Sequence, residues 1–455
     1  MKKYILIILC CLTSFPLWSY NVNMIVEHYS VDQGLPNNTV NCTLKDRDGF
    51  IWFGTWYGLC CFDGVKFKTF NKQEHDSDVP PRKIQRIVED KNGYIWVKTI
   101  DRKLYVFNKV TECFHAVYDD MKNYSENIQV IKLQNTAEGD VLLLTKDKNL
   151  LLAGVDEKGQ VTIKILFDSR DEINKHDYTL KHHVLCETEE YISWIGTDYK
   201  VSAVHKGAEL ASRPADFITS KINSGDKDSF TSFFEDGRKV WVGDRAGIFY
   251  SIDVRTGLVN RYVLSEIKGA ISNLLVTPAG YVYLSVAGQG TYEYDLAERR
   301  LQKINTEMND AMVTHAFIDQ YDKIWFHENE KALIYYDPLN HTAKRFPFTM
   351  FGKITTLYSE DAGERGLFFL SPAGEAWLFD REHAEMVYIN KLKQLSNDRA
   401  NQQFYHLMLD NDGVLWLSSA DEGVYCMNFP KKQFNLLSLS PQSAGQENYT
   451  IGVRA

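Results

Sequence analysis

Apolar and polar residues alternate with a period of two through most of the chain, in short runs separated by turn residues. Thr39 to Phe70 shows the plan. Thr39 to Leu44 alternates and predicts a strand. Asp46-Arg47-Asp48-Gly49 predicts a tight turn, because Asp suits the first turn position and Gly accepts the positive φ at the end. Phe50 to Thr55 predicts a second strand, and a loop at Trp56-Tyr57-Gly58 leads to a third, Leu59 to Phe62. Asp63-Gly64 is a second hairpin turn before a fourth strand, Lys66 to Phe70.

The plan then repeats. Lys83 to Val117 and Tyr405 to Leu437 are clear copies, carrying DKNGYIWVKT and DNDGVLWLSS where the first carries DRDGFIWFGT. One position in the second strand marks nine copies: Trp52, Trp96, Leu143, Trp194, Trp241, Tyr283, Trp325, Phe369 and Trp416. The intervals are 44, 47, 51, 47, 42, 42, 44 and 47 residues, and the position is aromatic in eight of nine copies. Four short strands in such a period are the size of a propeller blade. The predicted fold is therefore all-β, a β-propeller of four-stranded blades. The marker side chain is expected to fill the seam between neighbouring blades, an apolar surface that one blade cannot bury alone.

Met24 to Tyr29 (MIVEHY) stands where a fourth strand would, ahead of the first full copy. A propeller can close by pairing such a strand with its last blade, which removes exposed edges. Seven copies end near Phe348. The expectation is a seven-bladed ring over residues 21–348 and the start of a second ring over 349–455, with two blades and a truncated third beginning in NYTIGVRA.

Composition agrees with β structure: 25 Tyr, 25 Phe and 9 Trp, with only 11 Pro. Lys2 and Lys3, the apolar run Tyr4 to Leu12 and the more polar Thr13 to Ser19 read as a signal peptide over residues 1–20. The run is too short to span a bilayer, so export to the periplasm with cleavage is expected. Export permits disulfides. Yet Cys42, Cys60, Cys61, Cys113, Cys186 and Cys426 lie in or beside strand-like runs, where Cys is usually a small buried hydrophobe. The formal charge is −9 and there is no block of five or more Lys or Arg, which argues against nucleic-acid binding.

No motif for hydrolysis, phosphate binding or dinucleotide binding appears. The Asp-rich turns at Asp46, Asp90 and Asp410 resemble calcium loops only faintly. Their twelfth positions are Tyr57, Asp101 and Asp421, where an EF-hand needs Glu. His182 and His183 point to opposite faces of a strand and cannot share a metal. Neither a metal nor a cofactor is expected, nor enzymatic activity from this region. The loops between strands two and three differ between copies while the strands repeat, as on a scaffold with a diversified binding surface. They carry Trp56 and Tyr57, Asp101 and Arg102, Asp198 and Tyr199, Asp244 and Arg245, Gln289, His327 and Glu328, and Asp421. Aromatic rings stack on sugar C–H faces and the polar ends pair with hydroxyls. The candidate ligand-binding set is Trp56, Tyr57, Asp101, Arg102, Asp198, Arg245 and His327.

The copies DRDGFIWFGTWYGLCCFDGVKFKTF and DNDGVLWLSS resemble the two-component regulator propeller repeat. HYSVDQGLPNNTVNCTLKDRDGFIWFGT resembles the mature N-terminus of periplasmic sensor regions in hybrid two-component systems. The resemblance implies two seven-bladed propellers followed by a β-sandwich, a membrane-spanning helix and kinase modules. It also implies an oligosaccharide ligand and control through a homodimer. A freestanding secreted propeller that binds glycan or protein is the alternative reading, and a propeller hydrolase or lyase is a further one.

Overall fold

In the computed structural model the described residues are 25–428, apart from 71–79, 123–128, 147–148, 168–184, 189, 196–199, 208–217, 222–229, 305–312, 329–330, 352–357, 362–365, 372–374 and 392–403. The expected signal peptide, His182-His183, the candidate Asp198 with Tyr199, and the NYTIGVRA tail all lie outside them. The described strands form nine four-stranded sheets. Eight of them are antiparallel meanders with strands in chain order, as in unit one: Val40–Lys45, Ile51–Thr55, Gly58–Phe62 and Phe67–Phe70. Among the described residues the one α-helical segment is the four-residue Tyr118–Met121.

Nine apolar clusters hold the sheets together, and each spans two neighbouring units. Trp52, Leu59 and Phe70 of unit one meet Ile84, Ile95 and Phe107 of unit two. Trp96 of unit two packs with Val130, Leu143 and Leu151 of unit three. The series continues through every neighbouring pair. It ends where Trp416 and Val424 of unit nine meet Val40, Phe53 and Phe62 of unit one. The sheets therefore form a closed ring, a β-propeller. Trp96, Trp241 and Trp325 are at most 2% exposed, which places the marker residue in the seams.

Closure differs from the expected division at 348. Ile25–Tyr29 does take the fourth-strand place, but in unit nine, paired antiparallel with Val424–Asn428. Units seven and eight pack across 348 without a gap, Trp325, Phe346 and Phe348 sharing one cluster with Phe369, Trp377 and Phe379. The repeat count could not supply the partner, because the outer edges of all units look alike in sequence. What distinguishes unit nine is the fit of Tyr29, whose ring lies 6.5 Å from Trp416 and 5.0 Å from Phe62.

The Asp-rich turns are hairpin turns with a second task. Asp46 Oδ1 accepts the backbone N–H groups of Asp48 and Phe50, while Oδ2 accepts the Trp52 indole N–H at 2.7 Å. The same clamp recurs at Asp90–Trp96, Asp236–Trp241, Asp319–Trp325 and Asp410–Trp416. One carboxylate thus fixes both the turn and the seam tryptophan. Cations from adjoining units cap several of these turns. Lys109 of unit two reaches Asp46 and Asp48 of unit one, Arg381 of unit eight reaches Asp319 of unit seven, and Lys45 of unit one reaches Asp410 of unit nine. Lys206 of unit four pairs likewise with Glu138 of unit three. These pairs are partly buried, so each leaves an expensive unpaired charge if one partner is removed.

Candidate functional site

Each unit presents its 1–2 and 3–4 turns at one end of the ring and its 2–3 loop at the other. The loop end is fixed by backbone hydrogen bonds between units. Lys83 N–H, just before the first strand of unit two, donates to Trp56 O in the loop of unit one at 2.9 Å. Within unit two Ile100 N–H donates to Lys83 O, and Val130 N–H of unit three donates to Arg102 O, both at 2.9 Å. A bond from Gly423 to Asn38 O carries the same linkage from unit nine to unit one. The loops differ in sequence, but the repeat positions their backbones.

The candidate residues divide into those brought together and those kept apart. Trp56 and Tyr57 are exposed, 40% and 63%. The Lys83 ammonium lies over the Trp56 ring, 5.2 Å from its centre. Asp101 and Arg102 sit in the next loop of the ring, where Asp101 accepts from Thr99 and pairs with Lys103 at 3.3 Å. Those hydrogen bonds and the Lys103 charge hold the Asp101 carboxyl below its ordinary range against the opposing effect of burial, the largest single influence. Arg102 Nη1 reaches Gln129 of unit three at 3.5 Å. These residues form one contiguous stretch of the loop end over units one to three. Arg245 is exposed in the 2–3 loop of unit five and does not belong to that stretch.

Two assignments change. His327 and Glu328 are not loop residues, because Ile324–Glu328 is the second strand of unit seven. Glu328 is 4% exposed and pairs with Arg345 at 3.0 Å, a structural contact. His327 is half-buried, with burial first and the neighbouring His315 second in holding it below the ordinary histidine range. Asp244 is likewise structural: it ends a strand, is 2% exposed, and accepts the N–H groups of Ala246 and Ile248.

Sequence reasoning missed the inner edge of the ring. The first strands of seven units carry an irregularity at one shared place, between their first and third residues. The residue after it faces a fixed position in strand two. These facing pairs are Cys42/Gly54, Arg86/Lys98, Lys132/Leu144, Ser232/Gly243, Asn273/Ser285, His315/His327 and His406/Ser418. Most are small or neutral, but unit two opposes two cations. The signal was present in the aligned copies, as a Lys where the others have Gly, Ser, Leu or His.

Two clefts open at the turn end, and sequence alone could not reveal them because each is shared by two units. The one between units one and two has a volume of about 1060 Å³ and is lined by Phe50, Phe67, Phe70 and Tyr94 with Arg47 and Lys66. The one between units two and three, of about 430 Å³, holds the His115–Asp120 pair at 2.7 Å. Asp46, Asp48 and Glu89 cluster as carboxylates near a cation would, but the Lys109 ammonium already sits among them at 3.1, 2.6 and 2.8 Å. Cys42, Cys60, Cys61, Cys113 and Cys426 are free thiols. Burial pushes those of Cys42, Cys60, Cys61 and Cys426 up to about 12, so they are neutral packing groups.

Residues 34–57, the first two strands of unit one with the loop that follows, match the two-component regulator propeller family. No curated protein matches the chain. Solved structures similar to it include two extracellular domains from B. thetaiotaomicron. That of the one-component system BT4673 is 15% identical, with a TM-score of 0.39, over 87% of this chain and 65% of that one. That of the hybrid two-component system BT3049 is 17% identical, with a TM-score of 0.34, over 92% and 55%. The chain thus spans less than two thirds of the length of both domains. Virginiamycin B lyase from Staphylococcus aureus is also similar, at 8% identity and a TM-score of 0.33, over 89% of this chain and 99% of that one.

Proposed function

We propose that this ring is the extracytoplasmic ligand-sensing part of a hybrid two-component sensor, exported to the periplasm by residues 1–20 and joined to membrane and kinase modules. The observation that carries this reading is the regulator-propeller match at residues 34–57. It covers the second strand with Trp52 and runs into the loop with Trp56 and Tyr57, where scaffold and variable surface meet. A glycan-derived oligosaccharide is the ligand class that the loop end favours. Trp56 and Tyr57 offer exposed ring faces, and Asp101 and Arg102 follow in the next loop. Aromatic and Arg side chains are the usual anchors of a binding surface, and the backbone bonds that fix these loops limit the entropy lost on binding.

The test is a thermal-shift screen of the purified chain against a glycan panel, followed by titration of any glycan that stabilises it. The double variant Trp56→Ala, Arg102→Gly should lose binding while remaining folded. A folded double variant that binds as well as the parent would remove the loop end as the site. Turnover of a panel member would replace the sensor reading with an enzymatic one.

A further inference from the structure

Unit two differs from units one and five at two places, both at the inner loop end and both with a cation in place of glycine. The first is Lys98. Its equivalents in units one and five are Gly54 and Gly243, where the space is taken by the facing residue, Cys42 or Ser232, and by the next unit. A Cβ on Gly54 would stand 2.6 Å from Ile84 Cγ2, and one on Gly243 would stand 2.7 Å from Ile271 Cγ2. Lys98 places a whole side chain at that position and is 6% exposed. Its ammonium donates to Gln85 Oε1, and no carboxylate pairs with it among the described residues. Burial, and then the nearby Arg102 charge, lower its pKa. The second place is Arg102. It adopts φ 67°, in the left-handed region, where the equivalent residue of unit five is Gly247 with φ 83°. A non-glycine residue held there carries backbone strain.

Arg86 completes the group. It is the cross-strand partner of Lys98, so the two side chains share a face of the sheet, and like charges placed opposite each other destabilise a sheet. Arg86 is exposed, and its charge also reaches Cys42 of unit one and His406 of unit nine. Neither Arg86 nor Arg102 has a carboxylate partner among the described residues. Elsewhere in the ring the partly buried cations Lys45, Lys109, Lys206 and Arg381 all have one. A strained backbone and a buried ammonium with no carboxylate partner are two costs at one place, and a second cation stands across the strands from that ammonium. A bound anion offsets the unbalanced charge.

We propose that Arg86, Lys98 and Arg102 form a subsite for an anionic group of the ligand, a carboxylate or a sulfate ester. This rests on the loop end being the ligand face, and it makes the ligand an acidic rather than a neutral glycan. A guanidinium offers paired N–H donors that match a carboxylate or sulfate, and the buried ammonium adds a point charge.

The test compares the melting temperature of the full chain in sodium sulfate and in sodium chloride at matched ionic strength, for the parent, Lys98→Met and Arg86→Gln. Sulfate stabilises proteins in general by exclusion, so the readout is the difference between parent and variants. The expected result is a sulfate-specific rise of a few degrees in the parent that is absent in Lys98→Met and reduced in Arg86→Gln. Lys98→Met should also melt above the parent in chloride, because it removes the unpaired cation and keeps the volume. An equal sulfate response in all three proteins overturns the proposal. Glucuronate and glucose oligosaccharides then separate the two ideas. A neutral oligosaccharide that binds parent and Lys98→Met alike leaves the sensor reading standing and removes the anion subsite. Sulfate binding lost in Lys98→Met, with no oligosaccharide bound by either protein, keeps the subsite and removes the glycan.

Discussion

The two ends of the ring obey different rules. At the turn end, Asp46, Asp90, Asp236, Asp319 and Asp410 repeat one arrangement, each holding its turn and its tryptophan. At the loop end, the position after the second strand holds Trp56 in unit one, Ile100 in unit two and Arg245 in unit five. Repetition marks the residues that build the ring, because every seam poses the same packing problem. Variation marks the residues released from that problem. Unit two's inner edge shows that release reaching into the seam itself, where Lys98 stands at a position that is glycine in units one and five.

The sharpest way to break this contrast is at the seam. Trp96→Ala or Trp241→Ala should each cost about 3–5 kcal/mol in urea unfolding, the range for emptying a large buried site. A loss below about 1 kcal/mol would mean that the seams do not carry the ring. Next in size is Asp46→Ala, which strands the Trp52 indole N–H and takes a carboxylate from Lys109. It should cost roughly 3 kcal/mol, whereas Asp101→Ala at the loop end should stay within about 0.5 kcal/mol. Equal effects would erase the distinction between the two ends.

A pH experiment probes the inner edge. Burial first, and the Arg86 charge second, lower the pKa of His406 to about 4. The unfolded chain takes up that proton near its ordinary value of about 6.5, while the folded chain resists it. Stability from this group is therefore complete above about pH 6.5 and is lost as pH falls towards 4. The loss should be roughly 2–3 kcal/mol at the low end. Comparing the parent with His406→Gln in urea at pH 7 and pH 4.5 isolates it, because only the parent carries this term. The smallest expected effect is that of Trp56→Ala on folding, within about 0.5 kcal/mol, since the side chain is exposed and its contact with Lys83 is worth little at a wet surface.

The fold was readable because its signals are local and repeated. The D-x-x-G turns, the alternation and the marker aromatic recur in each clear copy, and each sits at the place in the sheet its chemistry predicts. The bond from Asp46 to Trp52 was within reach of the same reading, since the two are six residues apart in four of the five clamps. The partner of the closing strand was not legible. That choice rests on Tyr29 meeting residues nearly four hundred positions away. The site was only half legible for a related reason. Loop variability pointed to Trp56 and Arg102, but the opposition of Arg86 and Lys98 depends on register. His327 was misplaced because strand two of unit seven continues through it to Glu328.

The closing strand has a mechanical consequence. Ile25 pairs with Asn428, and the register runs from there inward to Tyr29 with Val424. Residues 25 and 428 therefore leave the ring side by side at the same end of one hairpin-like pair. Tension applied between them would load a single rung at a time and peel the strand like a zipper. The same force spread along parallel shear lines would meet five residue pairs together. The clasp that completes the ring against heat and denaturant is thus the place where a pull along the chain would open it first.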